Sequence, residues 1–506
     1  MIKHIQRLEE ENEHLKLLKI QEDDNHLTTN LTNTKTLKEP SKEYEVSRRT
    51  IKRDLSDMWL FLQHQLESLS KEEGILGTKE EQHLKTIVRE TKMYHDVIMA
   101  DLWKLSESDG YKRWRKREAK SLDNLVQERI HRLQNPQECN GAKKLVCNLE
   151  GLRCGFGCQI HNIVFCLITS YGSERMLVLK SNQWSYYNTK YEDFLRPFSK
   201  SCRNEESGRT FAWPGTPDLP SIEVASINHI KPKPAFLPAS IPAELAERLT
   251  RLHGDPAVWW VAQFVKYVMR LPFELQKVIN ATAKLQNMKS PVVGVHVRRT
   301  DKLKKEASFH GVEEYMRHVA EYYQELEVRQ GYPVEEKRVY LATDDPDVHA
   351  ACRQKFPHYV FLGDVTISRA AGVIDIDRKN ANSLQGIIID IYMLSLTDYL
   401  VGTFSSQVSR TAYEIMQTRF PDAADRFKSL DDLWYFGGGG HRHQEAVMNH
   451  GPRNEKELYM RKGDLLSVSG NLWNGFTMGK NNRTGNPGLY PSYKARERLT
   501  IVDFPT

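Results

Sequence analysis

Apolar and polar positions divide this chain into stretches of distinct texture. Between residues 2 and 22, Ile5, Leu8, Asn12, Leu15 and Lys19 recur at heptad a and d spacing among Glu and Lys. This is the pattern of a parallel coiled coil in which a polar a position selects the register. Residues 23 to 43 are polar and read as a linker. From Ser47 to Leu133 the period is helical, with one stripe of Leu55, Met58, Trp59 and Leu62 and another of Leu84, Ile87, Tyr94, Ile98 and Leu102. Both stripes are expected to form the core of a helix hairpin. A following segment to about residue 205 alternates turns with short strand-like runs such as NIVFCLI and MLVLK. Pro214 to Pro242 is proline-rich and reads as an ordered, extended connector rather than strand or helix.

After a helical passage carrying Trp259, Trp260 and Phe264, strand-plus-helix units repeat. PVVGVHV runs into Arg298 and Arg299, RVYLATDDP into Asp344 and Asp345, YVFLGD into Asp364, and DYLVGTFSSQ into Ser405, Ser406 and Gln407. A near-continuous apolar run suits a parallel strand covered on both faces, and open α/β sheets place ligands at the carboxyl ends of such strands. The repetition predicts a doubly wound, nucleotide-binding fold. Beyond Gly437–Gly440, the runs LLSVSG, LWNGFTMGK and GLYPSYKA alternate with turn residues, which predicts a small antiparallel barrel.

Composition narrows the choice of compartment and ligand. The 506 residues leave room for two or three domains, and 27% charged residues suggest that part of the chain is extended. A net charge of +6, with no long Lys/Arg block, is mild and argues against nucleic acid as a partner. Six of the seven cysteines, Cys139, Cys147, Cys154, Cys158, Cys166 and Cys202, crowd together, whereas Cys352 stands apart. Only Cys154 and Cys158 have zinc-ligand spacing, so disulfides and an oxidising compartment are favoured over metal. Asn30, Asn280 and Asn482 head N-x-Ser/Thr triplets, consistent with secretion. No apolar run reaches membrane-spanning length and Met1 opens no signal peptide, so the native amino terminus is expected to lie outside this chain.

The chemistry concentrates in Pro291–Glu306. Arg298 and Arg299 can clamp a diphosphate without metal, because guanidinium groups are planar, permanently charged and matched to phosphate oxygens. Asp301, Lys302 and Glu306 follow directly. Asp344 and Asp345 invite a metal reading, but adjacent acids after a strand more often serve as turn and capping residues, and no His or third carboxylate completes a site.

Together the helical stem, the cysteine cluster, GVHVRRTDK, YLATDDP, TFSSQ, YEIMQT, SLDDLWYFGG and the terminal GLYPSYK resemble the α1,6-fucosyltransferases that add core fucose to N-glycans. The resemblance implies an α/β, GT-B-like glycosyltransferase with a Rossmann-type sheet, a coiled-coil stem and a Src homology 3-like barrel. The expected divisions are a helical stem at 1–134, a cysteine-rich catalytic subdomain at 135–290, a GDP-fucose-binding domain at 291–445 and the barrel at 446–506. It implies a metal-independent, inverting transfer from GDP-fucose to the 6-hydroxyl of the innermost asparagine-linked N-acetylglucosamine, with no cofactor. The acceptors would be N-glycoproteins exposing terminal N-acetylglucosamine. The setting would be the Golgi lumen, for a type II membrane protein whose anchor is not in this chain, and the state a homodimer formed through the N-terminal helices.

By position in the family's motifs, Glu306 is the base, Lys302 tunes or relays its charge, and Arg298 and Arg299 stabilise the leaving diphosphate. His296, Tyr186, Asp390, Ser406 and Gln407 would complete the donor pocket. Lys302, Glu306, Gln407 and Asp431 would face the acceptor. The family pairing joins Cys139 with Cys202, Cys147 with Cys166, and Cys154 with Cys158, whereas spacing alone leaves fifteen connectivities open. A further family bridge would join the positions of Gly402 and Ser409, here lost at both ends, and Cys352 is expected to be free and buried. Leu472 replaces a histidine that touches the acceptor in vertebrate members, and Phe156 a tyrosine beside the donor. An acidic residue of the acceptor pocket, expected near IEVASINHIKP, has no placed counterpart, so acceptor preference could differ. The competing readings are a protein O-fucosyltransferase, whose family lacks this barrel and stem, and a non-catalytic Golgi scaffold, which would not need the catalytic set present here.

Overall fold

The computed structural model describes residues 38–71, 78–149, 152, 154–181, 184, 190–200, 202, 209–299, 308–367, 381–440 and 442–504. The chain divides into two compact units, Met1–Pro40 and Ser41–Thr506. The heptad segment 2–22, Asn30, Tyr186, Lys302 and Glu306 lie outside the described residues. Everything below concerns the second unit.

Three helices lead: α1 (Lys42–Lys71), α2 (Thr78–Ser108) and α3 (Lys112–Gln134). The helical expectation holds here, but the buried faces differ from those expected. Trp59 is buried, yet Met58 is exposed, and on α2 Ile87, Ile98 and Tyr94 are exposed, Tyr94 at 71%. The buried residues of α2 are Asp96, Met99 and Ala100. Two stripes of similar period run along α2, and Asp96 is buried because Lys92, His95 and, from another helix, Gln324 bond its carboxylate.

The next layer is a four-stranded parallel sheet in the order β2-β1-β4-β3, from β1 (Lys144–Asn148), β2 (Met176–Lys180), β3 (Phe211–Ala212) and β4 (Ser221–Val224). Two expectations fail here. NIVFCLI lies in the helix α4 (Phe156–Gly172), because the short apolar run belongs to a seventeen-residue segment buried on nearly every side, where periodicity cannot separate strand from helix. The proline-rich passage supplies strand β4, because SIEV is itself free of proline and pairs with β1. MLVLK is a strand as expected.

All three disulfides implied by the resemblance are present. Cys139–Cys202, Cys147–Cys166 and Cys154–Cys158 have Cα separations of 5.5, 6.1 and 5.9 Å. The second ties β1 to α4. Cys352 is free and buried, and burial pushes its thiol up to about 11.

A short strand β5 (Ser240–Pro242) and helix α5 (Ala246–Leu252) lead to α6 (Pro256–Val268). Asp255 caps α6 by accepting from the Val258 N–H at 3.3 Å, and Pro256 opens its first turn. Trp259, Trp260 and Phe264 on α6 are fully buried, as their apolar setting requires. Helix α7 (Phe273–Leu285) then precedes the second sheet.

That sheet has five parallel strands in the order β10-β9-β6-β7-β8: β6 (Val292–Val297), β7 (Lys337–Thr343), β8 (Tyr359–Leu362), β9 (Tyr399–Gly402) and β10 (Phe427–Ser429). Helices α8 (Val312–Gln330), α9 (Pro346–Lys355), α10 (Ala381–Ser395) and α11 (Gln407–Gln417) accompany it. Alternate residues serve two cores. Val293, Val295, Val297, Val339 and Leu341 pack with Val312, Tyr315, Met316 and Val319 of α8. Val292, Tyr340 and Leu400 join the larger core with α10, α6 and α4. Both faces are covered, which explains the valine-rich β6. The sheet is doubly wound, and its order reverses between β6 and β9, which creates a crevice at their carboxyl ends.

The chain closes with a five-stranded antiparallel sheet, β14-β13-β12-β11-β15, from β11 (His443–Ala446), β12 (Leu465–Asn471), β13 (Phe476–Asn481), β14 (Pro487–Pro491) and β15 (Ala495–Arg498). Gly475, at φ +86°, lets Phe61 of α1 press against it, since a Cβ there would lie 2.6 Å from that of Phe61. A last strand, β16 (Thr500–Val502), returns to pair with β5, and Phe504 packs against Trp260 in the main core. No described helix is long and apolar enough to cross a membrane.

Candidate active site at the sheet switch point

β6 ends at Val297, opposite Thr343 of β7, so the residues that follow, Arg298 and Asp344, emerge side by side. Arg298 forms an ion pair with Asp344. The Arg299 N–H donates to the other oxygen of Asp344 at 2.8 Å, and its guanidinium meets Asp345 at 3.2 Å. Asp345 also caps α9 by accepting from the Asp347 N–H at 3.0 Å. The capping expectation for this acid pair therefore holds, with a second duty added: the acids fix the arginine forks. The Arg299 guanidinium lies 4.7 Å from the centre of the Phe309 ring, and its Nε is buried without a partner among the described residues. Two fixed cations at the carboxyl end of a central strand suit a diphosphate. Among the described residues no group of three His, Cys, Asp or Glu could hold a metal ion.

Across the switch point, the turn after β9 carries Thr403 to Ser406 and runs into α11. Ser406 is buried at the helix start, its N–H donating to the Thr403 carbonyl at 3.2 Å. Gln407 opens the helix, and its Oε1 is buried without a partner among the described residues. Asp431, just past β10, holds this turn: its Oδ1 accepts from the Phe404 N–H at 2.8 Å and the Ser429 hydroxyl at 3.0 Å, and its Oδ2 from the Ser405 N–H at 3.3 Å. Its carbonyl accepts from Trp473 Nε1 at 3.0 Å, which joins the terminal sheet to the site. Leu472, beside Trp473, is 46% exposed.

His296 is buried on β6, with Nδ1 2.7 Å from the Ser409 hydroxyl on α11. Gly402 faces the same serine: a Cβ on it would lie 3.5 Å from the Ser409 Cβ. The two positions that the resemblance assigns to a further bridge are thus adjacent. Asp390, on α10, accepts from the Tyr340 hydroxyl at 2.7 Å. Burial pushes its carboxyl up to about 7, against the Tyr340 hydrogen bond and with help from the Asp364 charge. Phe156 is buried at the start of α4, its ring centre 6.2 Å from that of Trp184.

The fold thus gathers His296, Arg298, Arg299, Ser406, Gln407 and Asp431 around the ends of β6, β9 and β10, with Asp390 bound to β7 through Tyr340. Sequence reasoning missed the supporting partners Asp344, Tyr340 and Ser409 as members of the site. The one available signal was that two acids and two arginines end neighbouring strands, a relation that needs the register.

The sequence family described as alpha-(1,6)-fucosyltransferase N- and catalytic domains matches residues 1–435. A Drosophila melanogaster protein named alpha-(1,6)-fucosyltransferase is 43% identical over 469 residues, 92% of this chain and 75% of its own length. One of the same name from Caenorhabditis elegans is 37% identical over 421 residues, 81% of this chain and 75% of its own. A solved C-terminal SH3 domain of myosin IB from Entamoeba histolytica aligns 91% of its length with 12% of this chain, at 23% identity and a TM-score of 0.11.

Proposed function

We infer that this chain, which belongs to the alpha-(1,6)-fucosyltransferase family, moves fucose from GDP-fucose to the 6-hydroxyl of the innermost asparagine-linked N-acetylglucosamine of N-glycans. The observation that carries the reading is the arginine pair at the end of β6, held by Asp344 and Asp345 at the sheet's switch point. As the bond to GDP breaks, negative charge grows on the diphosphate, and fixed guanidinium groups stabilise it without a divalent ion. The alcohol must lose its proton as the new bond forms, and Glu306 is the carboxylate assigned to take it, with Lys302, four residues earlier in the sequence, assigned to tune or relay its charge. Attack on the face opposite the departing GDP inverts the anomeric centre.

His296, Tyr186, Asp390, Ser406 and Gln407 are assigned to the donor. Asp390 sits near its titration midpoint at neutral pH, so it can donate to or accept from a sugar hydroxyl. Asp431 is assigned to the acceptor side; the turn bonds to its carboxylate support a role exercised partly through Phe404 and Ser405. The two parallel sheets support a GT-B-like arrangement, and the terminal antiparallel sheet is read as a Src homology 3-like barrel. The disulfides favour the Golgi lumen. The exposed stripe of Ile87, Tyr94, Ile98 and Leu105 on α2 supports a homodimer built through the N-terminal helices.

The test is transfer from GDP-fucose to a biantennary N-glycopeptide exposing terminal N-acetylglucosamine, in EDTA, with the linkage mapped by NMR. An α1,6 fucose on the innermost sugar, lost in Glu306→Gln, is expected. Absence of transfer by the folded wild-type chain, or equal transfer by the variant, overturns the reading.

A further inference from the structure

A buried histidine–glutamate pair joins three of the elements that carry the site. His161 lies one turn into α4, and its Nδ1 is 2.7 Å from the Gly157 carbonyl oxygen. A carbonyl only accepts, so Nδ1 carries a proton. Nε2 faces both oxygens of Glu414, each at 3.1 Å. Glu414, on α11, is fully buried. Burial pushes its carboxyl up, but the charge and hydrogen bond of His161, the Trp434 N–H and the charge of Arg410 outweigh that and hold it below the usual range. Nε2 and the Glu414 carboxyl therefore share the hydrogen bond that joins the two helices. Trp434 Nε1 completes the shell, donating to Glu414 at 2.9 Å. The Phe436 ring closes edge-on over His161 at 5.4 Å.

The place of this pair in the fold gives it a consequence for the donor. Helix α11 begins at Gln407, two turns before Glu414, and continues the turn that holds Ser405 and Ser406. Helix α4 begins at Phe156, and its Gly157 is pressed against Gln407, where a Cβ would lie 2.8 Å from the Gln407 Cβ and 3.0 Å from its backbone carbon. Trp434 follows Asp431, which bonds the same turn from its other side. One hydrogen-bonded pair therefore sets the spacing between the first sheet's helix and the second sheet's switch-point helix, with Gln407 between them.

We propose that His161 and Glu414, with Trp434, are positioning residues for the donor. They fix the depth and orientation of Gln407 and the 403–406 turn against α4, and touch neither sugar nor nucleotide. A buried, paired carboxylate is a costly way to join two helices that apolar packing could join, and what the pair adds is a single permitted register. This inference rests on the donor reading of Gln407 given above.

The experiment compares Glu414→Gln with wild type for the KM of GDP-fucose, the KM of the glycopeptide, kcat, GDP affinity by calorimetry and melting temperature. The glutamine is nearly isosteric but puts an amide in place of the carboxyl that faces His161. The expected result is an increase of about tenfold in the donor KM and in the Kd for GDP, with the glycopeptide KM unchanged. Glu457→Gln, which breaks a comparable buried bond to His450 in the terminal segment, lowers the melting temperature without moving the donor KM. Should Glu414→Gln not fold, Trp434→Phe decides, since it removes only the Nε1 donor and is expected to raise the donor KM about threefold. A wild-type donor KM in a folded variant, or a loss spread equally over both substrates, overturns the proposal. Failure of the wild-type chain to transfer fucose while it binds GDP overturns the acceptor reading instead and leaves the GDP comparison to judge the pair.

Discussion

Arg298 and Asp344 meet at the carboxyl ends of two neighbouring parallel strands, and the same aspartate bonds the backbone N–H of Arg299. One carboxylate thereby sets both the direction of the first guanidinium and the chain path of the second. An arginine side chain has several rotatable bonds, and the diphosphate clamp proposed above works best with that freedom removed beforehand.

Asp344→Asn keeps the shape but loses the charge that holds the fork, so the arginines remain present and are no longer fixed. Transfer is expected to fall about a hundredfold in kcat/KM, and Arg298→Lys at least as far, because an ammonium cannot bridge two phosphate oxygens in plane. Steady-state kinetics with circular dichroism as a folding control checks both, and an Asp344→Asn variant within threefold of wild type would refute the supporting role.

Gly402 and Ser409 stand where two cysteines would fit. A Cβ on Gly402 would lie 3.5 Å from that of Ser409, within the range of bridged pairs. The double variant Gly402→Cys with Ser409→Cys is expected to oxidise spontaneously and to stabilise the fold by about 2 kcal/mol, since the closed loop is short. The check is a rise in melting temperature that dithiothreitol reverses. Retained activity is expected, because the bridge ties the end of β9 to α11 and so holds the switch-point helix in place even though His296 loses the Ser409 hydroxyl as a partner.

Asp390 makes stability depend on pH in a defined direction. Its carboxyl is raised from 3.8 to about 7 in the fold, chiefly by burial. Between those values the folded state binds a proton that the unfolded chain does not, so stability falls as pH rises, and the loss levels off above about 7. Asp390→Asn can still accept from Tyr340 and has no charge to bury. The melting temperature of the variant, relative to wild type, is expected to climb from pH 5 to 7 and then stay constant, as measured by calorimetry across that range. A constant difference would show that Asp390 is ionised throughout.

Tyr94 and Ile98 lie exposed on the apolar stripe of α2 that this chain does not bury. If a second copy covers the stripe, Tyr94→Glu combined with Ile98→Glu should convert a dimer to a monomer at micromolar concentration, as read by sedimentation. The fold of each protomer should be unaffected, because neither side chain is buried. Unchanged sedimentation would assign dimerisation to other residues.

Much of the second sheet was legible in the sequence. The valine run of β6, the acid pair after β7 and the serines after β9 each mark a strand end, and together they required parallel strands with polar carboxyl termini. The three disulfides followed from resemblance and not from spacing. The helix at NIVFCLI was misread because a run buried on nearly every side loses the period that separates helix from strand, and the strand at SIEV because its four proline-free residues sit inside a proline-rich passage and are defined by pairing with β1. Tyr186, Lys302 and Glu306 were assigned from motifs and lie outside the described residues.

The sequence by itself determined which residue types end each strand, hence that two arginines stand at the carboxyl end of β6, the candidate place for an anionic ligand. Those are local properties, set by hydrophobic period and by the chemistry of adjacent side chains. Only the tertiary structure decided which stripe of α2 is covered, that Asp344 faces Arg298, and that His161 reaches Glu414 across 253 positions of the chain. These depend on strand register, helix rotation and the need of each buried charge for a partner. None of them leaves a periodic trace in the order of the residues.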